Sequence, residues 1–159
     1  MFKIGDKVVY PCHGVALVEG IETKEISGMS KTFYMLRMND AGLVIMVPTD
    51  NVDKVRLRGI INKKEVPKVM KILREEGSEA PSNWNRRQKH YQERMQTGSL
   101  FEVAKVFRDL SLLKQRKELS FGEKKVLDNA RNLIVTEIAE AKDIAPTKAE
   151  SMITKLFIT

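Results

Sequence analysis

Along this chain the pattern of hydrophobic and polar positions changes period once, near Arg58. Before it, the segments DKVVYP, GVALVEGIETKEIS, KTFYMLRM, GLVIMVP and VDKVRLR are rich in β-branched and aromatic residues. Gly14, SGMS, NDAG and PTDN stand between them as turn chemistry. Phe33, Met35 and Arg37 alternate with Tyr34, Leu36 and Met38, the two-residue period of a strand. VALVEGIETKEI is long enough to bend through Gly20. Five short strands in under 60 residues predict a small, strongly bent antiparallel β-barrel of Tudor or SH3-like size.

From Asn62 the period is that of helices. Asn62–Glu65, Ser99–Glu102, Ser120–Glu123 and Thr147–Glu150 each place a capping residue three before a glutamate, whose side chain can reach back to the cap amide. Behind these caps run the stripes Val66, Val69, Met70, Leu73; Val103, Val106, Phe107, Leu110, Leu113; Val126, Leu127, Ala130, Leu133, Ile134, Ile138; and Met152, Ile153, Leu156, Phe157. Four amphipathic helices burying these faces against each other are predicted, with Pro146 suited to the first position of the last. Segment 82–96 differs. Ser82 is a candidate cap, but Trp84, Tyr91 and Met95 are its only large apolar residues, so it reads as a fifth helix lying on the bundle surface, delivered by Glu79, Ala80 and Pro81. The fold class is therefore α+β: a Tudor-like barrel over 1–60, then a compact all-α domain of about five helices over 61–159. The junction RLRGIINKK is too short for a free linker.

Composition narrows the function. A hydrophobic share of 42% and a charged share of 31% are those of a soluble globular protein. No apolar run approaches the ~18 residues that span a bilayer. MFKIGDKVVYP lacks the features of a secretory signal, and the one cysteine, Cys12, excludes an internal disulfide framework, so a cytoplasmic protein with no membrane partner is expected. The net charge of +7 is uneven: residues 1–58 hold 8 Lys/Arg against 7 Asp/Glu, residues 59–159 hold 20 against 14. Such an excess fits a polyanion binder, and equally a solvated basic surface. Cys12 and His13 are adjacent, with only His90 elsewhere, too few ligands for zinc or for Cys/His catalysis. Phosphate-loop spacing is absent and the acids are scattered. A non-enzyme without metal or cofactor is expected, and, with no heptad seam, a monomer.

Trp84 is the only tryptophan, set within SNWNRRQKH. One reading packs it on its own bundle through Tyr91 and Met95. The other presents it on a basic surface as a wedge between bases, with Arg86, Arg87 and Lys89 on phosphates and Asn83 and Asn85 near groove edges. Burying ~200 Å² of indole at ~25 cal/mol/Å² yields at most about 5 kcal/mol, enough to hold a step already kinked. It cannot melt a dozen base pairs at ~1.4 kcal/mol each. About four phosphate contacts would lose affinity roughly a hundredfold between 50 and 200 mM salt, so a second anchor is required. The β domain is the candidate. Leu43, Val44, Ile45 and Val47 of GLVIMVP are expected in the core, with Met46 and Pro48 at an edge open to a partner's strand.

FKIGDKVVYPCHGVALVEGIE, FYMLRM, IMVP, SNWNRRQKHYQERMQTGSLFEVAKVFRDL and LSFGEKKVLDNAR resemble the CarD/CdnL family of bacterial transcription regulators, in register across nearly the whole chain. The resemblance implies a Tudor-like domain, similar to one in the transcription-repair coupling factor, that docks on the RNA polymerase β subunit by pairing strands. It also implies a helical domain whose tryptophan enters the minor groove at the upstream edge of the −10 element, stabilising the open promoter complex on the nucleoid. On this sequence the wedge falls on Trp84, the phosphate contacts on Arg86, Arg87 and Lys89, and the polymerase contacts on Lys24, Met46 and Pro48. Some members carry arginine in place of Lys24 and a basic residue in place of Met46; Gln88 stands where an aromatic or bulky residue is frequent. The competing classes are an RNA-binding or ribosome-associated module and a protein adaptor whose basic helix meets an acidic partner.

Overall fold

The computed structural model describes residues 1–39, 42–77 and 84–157, with Trp84 described by its backbone alone. Asn83, the Ser82 cap and the loop residues 79–81 lie outside the described residues. The chain divides into two compact units, Met1–Ile60 and Ile61–Thr159.

The first unit is an antiparallel sheet of β1 (Lys7–Tyr10), β2 (Gly14–Ile26), β3 (Met29–Met38), β4 (Val44–Pro48) and β5 (Arg58–Gly59), in the order β4-β3-β2-β1-β5. Ser27 and Gly28 both take positive φ, 52° and 78°, between the paired Ile26 and Met29. That is the two-residue turn whose twist matches a hairpin. The β2–β3 register slips between Val18 and Gly20, where the long strand bends. Val8, Ala16, Val18, Tyr34, Leu36, Met38, Val47 and Leu57 form the core, with Phe2 edge-on to Tyr34 and its N–H donating to the phenol at 3.2 Å.

Two expectations are corrected here. VDKVRLR is not a continuous strand: Val52–Val55 form a helical turn, α1, ended by Arg56 in the left-handed region at φ 58°, and only Arg58–Gly59 pair with β1. Val52 and Val55, three apart, both pack on the core, so their β-branched spacing serves a turn. Leu43 and Val44 are not core: Leu43 is 57% exposed and Val44 is also open. Among the described residues β4 pairs with β3 alone, which leaves it an edge.

In the second unit Asn62 caps a 3-10 turn that leads into α2 (Val66–Arg74); α3 (Trp84–Gln96), α4 (Leu100–Arg116), α5 (Phe121–Lys142) and α6 (Pro146–Thr154) follow. Helix α4 packs against α2, α3 and α5, and α5 against α6, so the apolar stripes read from sequence meet around α4 and α5. The buried carboxylate of Glu137 accepts the Ile61 N–H at 2.8 Å, tying the start of the unit to α5. The reciprocal capping bonds form at Asn62 and Ser120. Ser99 precedes α4 without a side-chain cap bond, and the Glu102 carboxylate, instead of reaching back to it, faces Arg94 at 3.8 Å and Lys105 at 3.0 Å. Ala145, not Thr147, caps α6, since Pro146 already occupies its first position.

Gly77 closes the described segment after α2, and a Cβ there would sit 2.8 Å from Asp109 Oδ1 and 3.0 Å from Leu112. The Asp109 side chain is buried and held by Arg108 at 3.0 Å, so it cannot swing away cheaply. Gly77→Ala is expected to lower stability by about 1–3 kcal/mol in urea titrations, whereas Gly59→Ala, with open space around it, should be far milder.

Among the described residues no helix is long and apolar enough to cross a membrane, and no group of three or more His, Cys, Asp or Glu side chains is placed to hold a metal ion.

Candidate nucleic-acid and protein interfaces

Helix α3 has the most polar sequence of the bundle, yet it has a buried face. Arg87, Tyr91 and Met95 recur every four residues and are all buried, Tyr91 to 1% exposure. The expected surface helix with little core face is corrected accordingly. Arg87 supplies what the apolar count missed: its Nε lies 3.5 Å from Glu123 Oε2, with the two side chains 10% and 2% exposed. The other oxygen of Glu123 accepts the Ser120 N–H at 3.1 Å, so this carboxylate serves the α5 cap and the ion pair together. Burial raises the Tyr91 phenol above its usual value, and the carboxylates of Asp109 and Glu123 raise it further. Its neutral form is thereby the native one.

The expected phosphate contact at Arg87 does not fit this placement: a guanidinium enclosed against Glu123 holds α3 on α5. Arg86 and Lys89 are exposed on the helix, with Asn85 and Gln88 exposed beside them. Because Arg87 joins the first turn of α3 to the first turn of α5, the start of α5 belongs to the same neighbourhood. There Phe121 is 74% exposed, with Lys125 Nζ 4.8 Å from its ring centre, and Lys124 is exposed next to it. Sequence reading missed these three residues. The signal was the Ser120 capping box itself, which puts the following residue in the first helical turn, where no earlier turn covers it.

In the β unit the ladders set Lys24 opposite Lys31, Phe33 opposite both Glu22 and Pro48, and Met35 opposite Met46. Strand residues two apart share a face, so Lys24, Met46 and Pro48 all lie on the side away from Tyr34 and Leu36. Lys24 Nζ reaches within 3.9 Å of Met46 Sδ and of Glu22 Oε2. The same face continues to Ile26 and Met29 at the hairpin tip, both exposed and not singled out from sequence. The three sequence-chosen positions thus form one patch, two apolar residues and one lysine, beside the open edge of β4. Cys12 is half-buried and in the left-handed region at φ 67°; burial raises its thiol above the ordinary value.

Comparison with known proteins accounts for both units. Residues 2–61 match the family model described as "CarD-like/TRCF RID domain", and residues 68–154 that described as "CarD, C-terminal domain". The "Putative transcription factor YdeB" of Bacillus subtilis (strain 168) is 33% identical over 151 residues, covering 95% of this chain and 99% of that protein. Among solved structures, "CdnLNt" from Myxococcus xanthus is 49% identical over 38% of this chain and 86% of its own, with a TM-score of 0.34. The 72-residue N-terminal domain of Myxococcus xanthus CarD is 39% identical over 37% of this chain and 79% of its own, with a TM-score of 0.33.

Proposed function

This chain belongs to the CarD/CdnL family of transcription regulators, and we propose that it stabilises the open promoter complex by holding RNA polymerase with one unit and promoter DNA with the other. The β unit docks on the polymerase β subunit through the edge of β4 and the Lys24–Met46–Pro48 face. The helical unit brings Trp84 to the minor groove at the upstream edge of the −10 element, with Arg86 and Lys89 on phosphates and Phe121 and Lys125 alongside. Asn83 keeps its proposed place near the groove edge. One observation carries the reading most: α3 is pinned by a buried ion pair while its cations and the neighbouring Phe121 stay outside. A large aromatic ring left in water among lysines is the part of that arrangement that core packing does not account for.

The division of labour follows from magnitudes. The wedge and a few phosphate contacts bind weakly and lose affinity steeply with salt. Anchoring on the polymerase converts them into an intramolecular contact at high effective concentration. The polymerase opens the DNA; this chain slows its closing.

Footprinting with purified polymerase tests the reading. Protection at the upstream edge of the bubble, present with the wild type and lost with Trp84→Ala, is the expected result. Preference for RNA over forked DNA would contradict it. For the other unit, Met46→Glu places a second carboxylate beside Lys24, which already faces Glu22, and puts a charge where the patch is apolar. Loss of an apolar contact and a new buried charge at the interface are expected to weaken polymerase binding about tenfold, as for an interface residue worth somewhat over 1 kcal/mol, with unchanged binding to DNA alone.

A further inference from the structure

Five of the cations in the helical unit lie on one short element outside the α3 neighbourhood. Lys63, Lys64, Lys68, Lys71 and Arg74 all stand on α2 and the 3-10 turn that opens it, and all are exposed. At 100° per residue, Lys64, Lys68 and Lys71 fall within a narrow arc, and Arg74 and Lys63 flank it on one side. The opposite face is Val66, Val69, Met70 and Leu73, all buried. The segment has one acid, Glu65, whose carboxylate accepts the Asn62 N–H at 3.0 Å within the cap. Among the described residues no carboxylate lies within ion-pair distance of any of the five. Several other cations of the same unit are matched instead: Arg87 with Glu123, Arg94 and Lys105 with Glu102, Arg108 with Glu75 and Asp109, Lys124 with Glu118, Arg131 with Asp128.

We infer that the α2 stripe is a second nucleic-acid contact, taking the phosphate backbone of duplex DNA independently of sequence. The inference rests on the DNA-binding reading above and extends it to a second surface of the same unit. Two physical points favour phosphate over a protein surface. Lysine is depleted at the cores of protein interfaces, which need apolar anchors, and the exposed arc of α2 carries only Pro67 besides its cations. Nucleic-acid interfaces are instead strongly cationic and polar. The reach also suits a backbone: Lys64 to Arg74 spans about 15 Å at 1.5 Å per residue, against a rise of about 3.4 Å per phosphate along one strand. Lysines on flexible stems can follow such a row without fixed geometry.

The test is a salt titration of the full chain with a duplex of about 30 base pairs, comparing the wild type with Lys64→Gln/Lys68→Gln/Lys71→Gln. Those side chains lie on the surface, and circular dichroism checks that the fold is intact. Three lost phosphate contacts lower the slope of log affinity against log salt by about 2.7. From 50 to 200 mM salt the wild type then loses roughly fortyfold more affinity than the variant. An unchanged slope in the variant, with normal wild-type binding, overturns the α2 inference and leaves the DNA reading standing. No DNA binding by the wild type, with or without polymerase, overturns both. Weakened binding to polymerase in the absence of DNA overturns the inference in favour of a protein partner.

Discussion

Replacing Trp84 with alanine is expected to abolish the lengthening of the open-complex lifetime while leaving polymerase binding intact. The indole offers at most about 5 kcal/mol of burial, from which ordering and base-step unstacking must be subtracted. A net contribution of about 2 kcal/mol, usual for a central interface tryptophan, corresponds to roughly thirtyfold in lifetime. Trp84→Phe retains a smaller aromatic wedge and should fall between. The comparison separates the two units. If lifetime and polymerase affinity fell together, the defect would lie in docking, not in the contact with DNA. Lifetimes measured by competitor challenge on a single promoter, at fixed salt, read the effect directly.

The second large effect concerns stability. Arg87→Ala leaves the carboxylate of Glu123 enclosed, with its ion-pair partner removed. Breaking a buried pair from one side typically costs about 3–5 kcal/mol, a large share of the stability of a domain this size. Arg86→Ala, one residue away and exposed, should cost less than about 0.5 kcal/mol. The DNA readout should run the other way for Arg86, whose loss reduces the salt slope by about 0.9. Urea titration followed by helical circular dichroism, beside anisotropy on forked DNA, gives both numbers. Arg87→Met fills much of the same volume but still strands Glu123, so pairing it with Glu123→Gln should recover part of the loss.

This pair also shows where sequence reading stops. Arg86 and Arg87 are chemically identical neighbours, and only the helix phase against α5 separates a surface cation from a buried one. Counting arginine as polar hid the core face of α3, because its acid lies 36 residues away on another helix. Local chemistry was readable. Asn62 and Ser120 form their capping boxes because every participant is within three residues, and the hairpin at Ser27–Gly28 follows from turn residues alone. Where another group competes, the capping rule gave way: Glu102 turns to Arg94 and Lys105, and Pro146 takes the position that precedes Thr147. Leu43 and Val44 show the same limit in the sheet. Apolarity suggested that they are covered, although Met46 and Pro48 of the same run are expected at an edge, and only the structure shows Leu43 and Val44 lying open with them. Met46 and Pro48 are read from the residues as edge positions and Lys24 from the family resemblance alone, and the ladder register supplies the physical reason these positions can act together.

Because the chain has a single tryptophan, its fluorescence belongs to Trp84 alone, and quenching by iodide gives the most direct test. In the free protein the account predicts emission typical of a water-exposed indole, readily quenched. On forked DNA the emission should drop through base stacking and become shielded from iodide. Blue-shifted emission in the free protein, insensitive to both iodide and DNA, would mean the ring is part of its own bundle and would contradict the account.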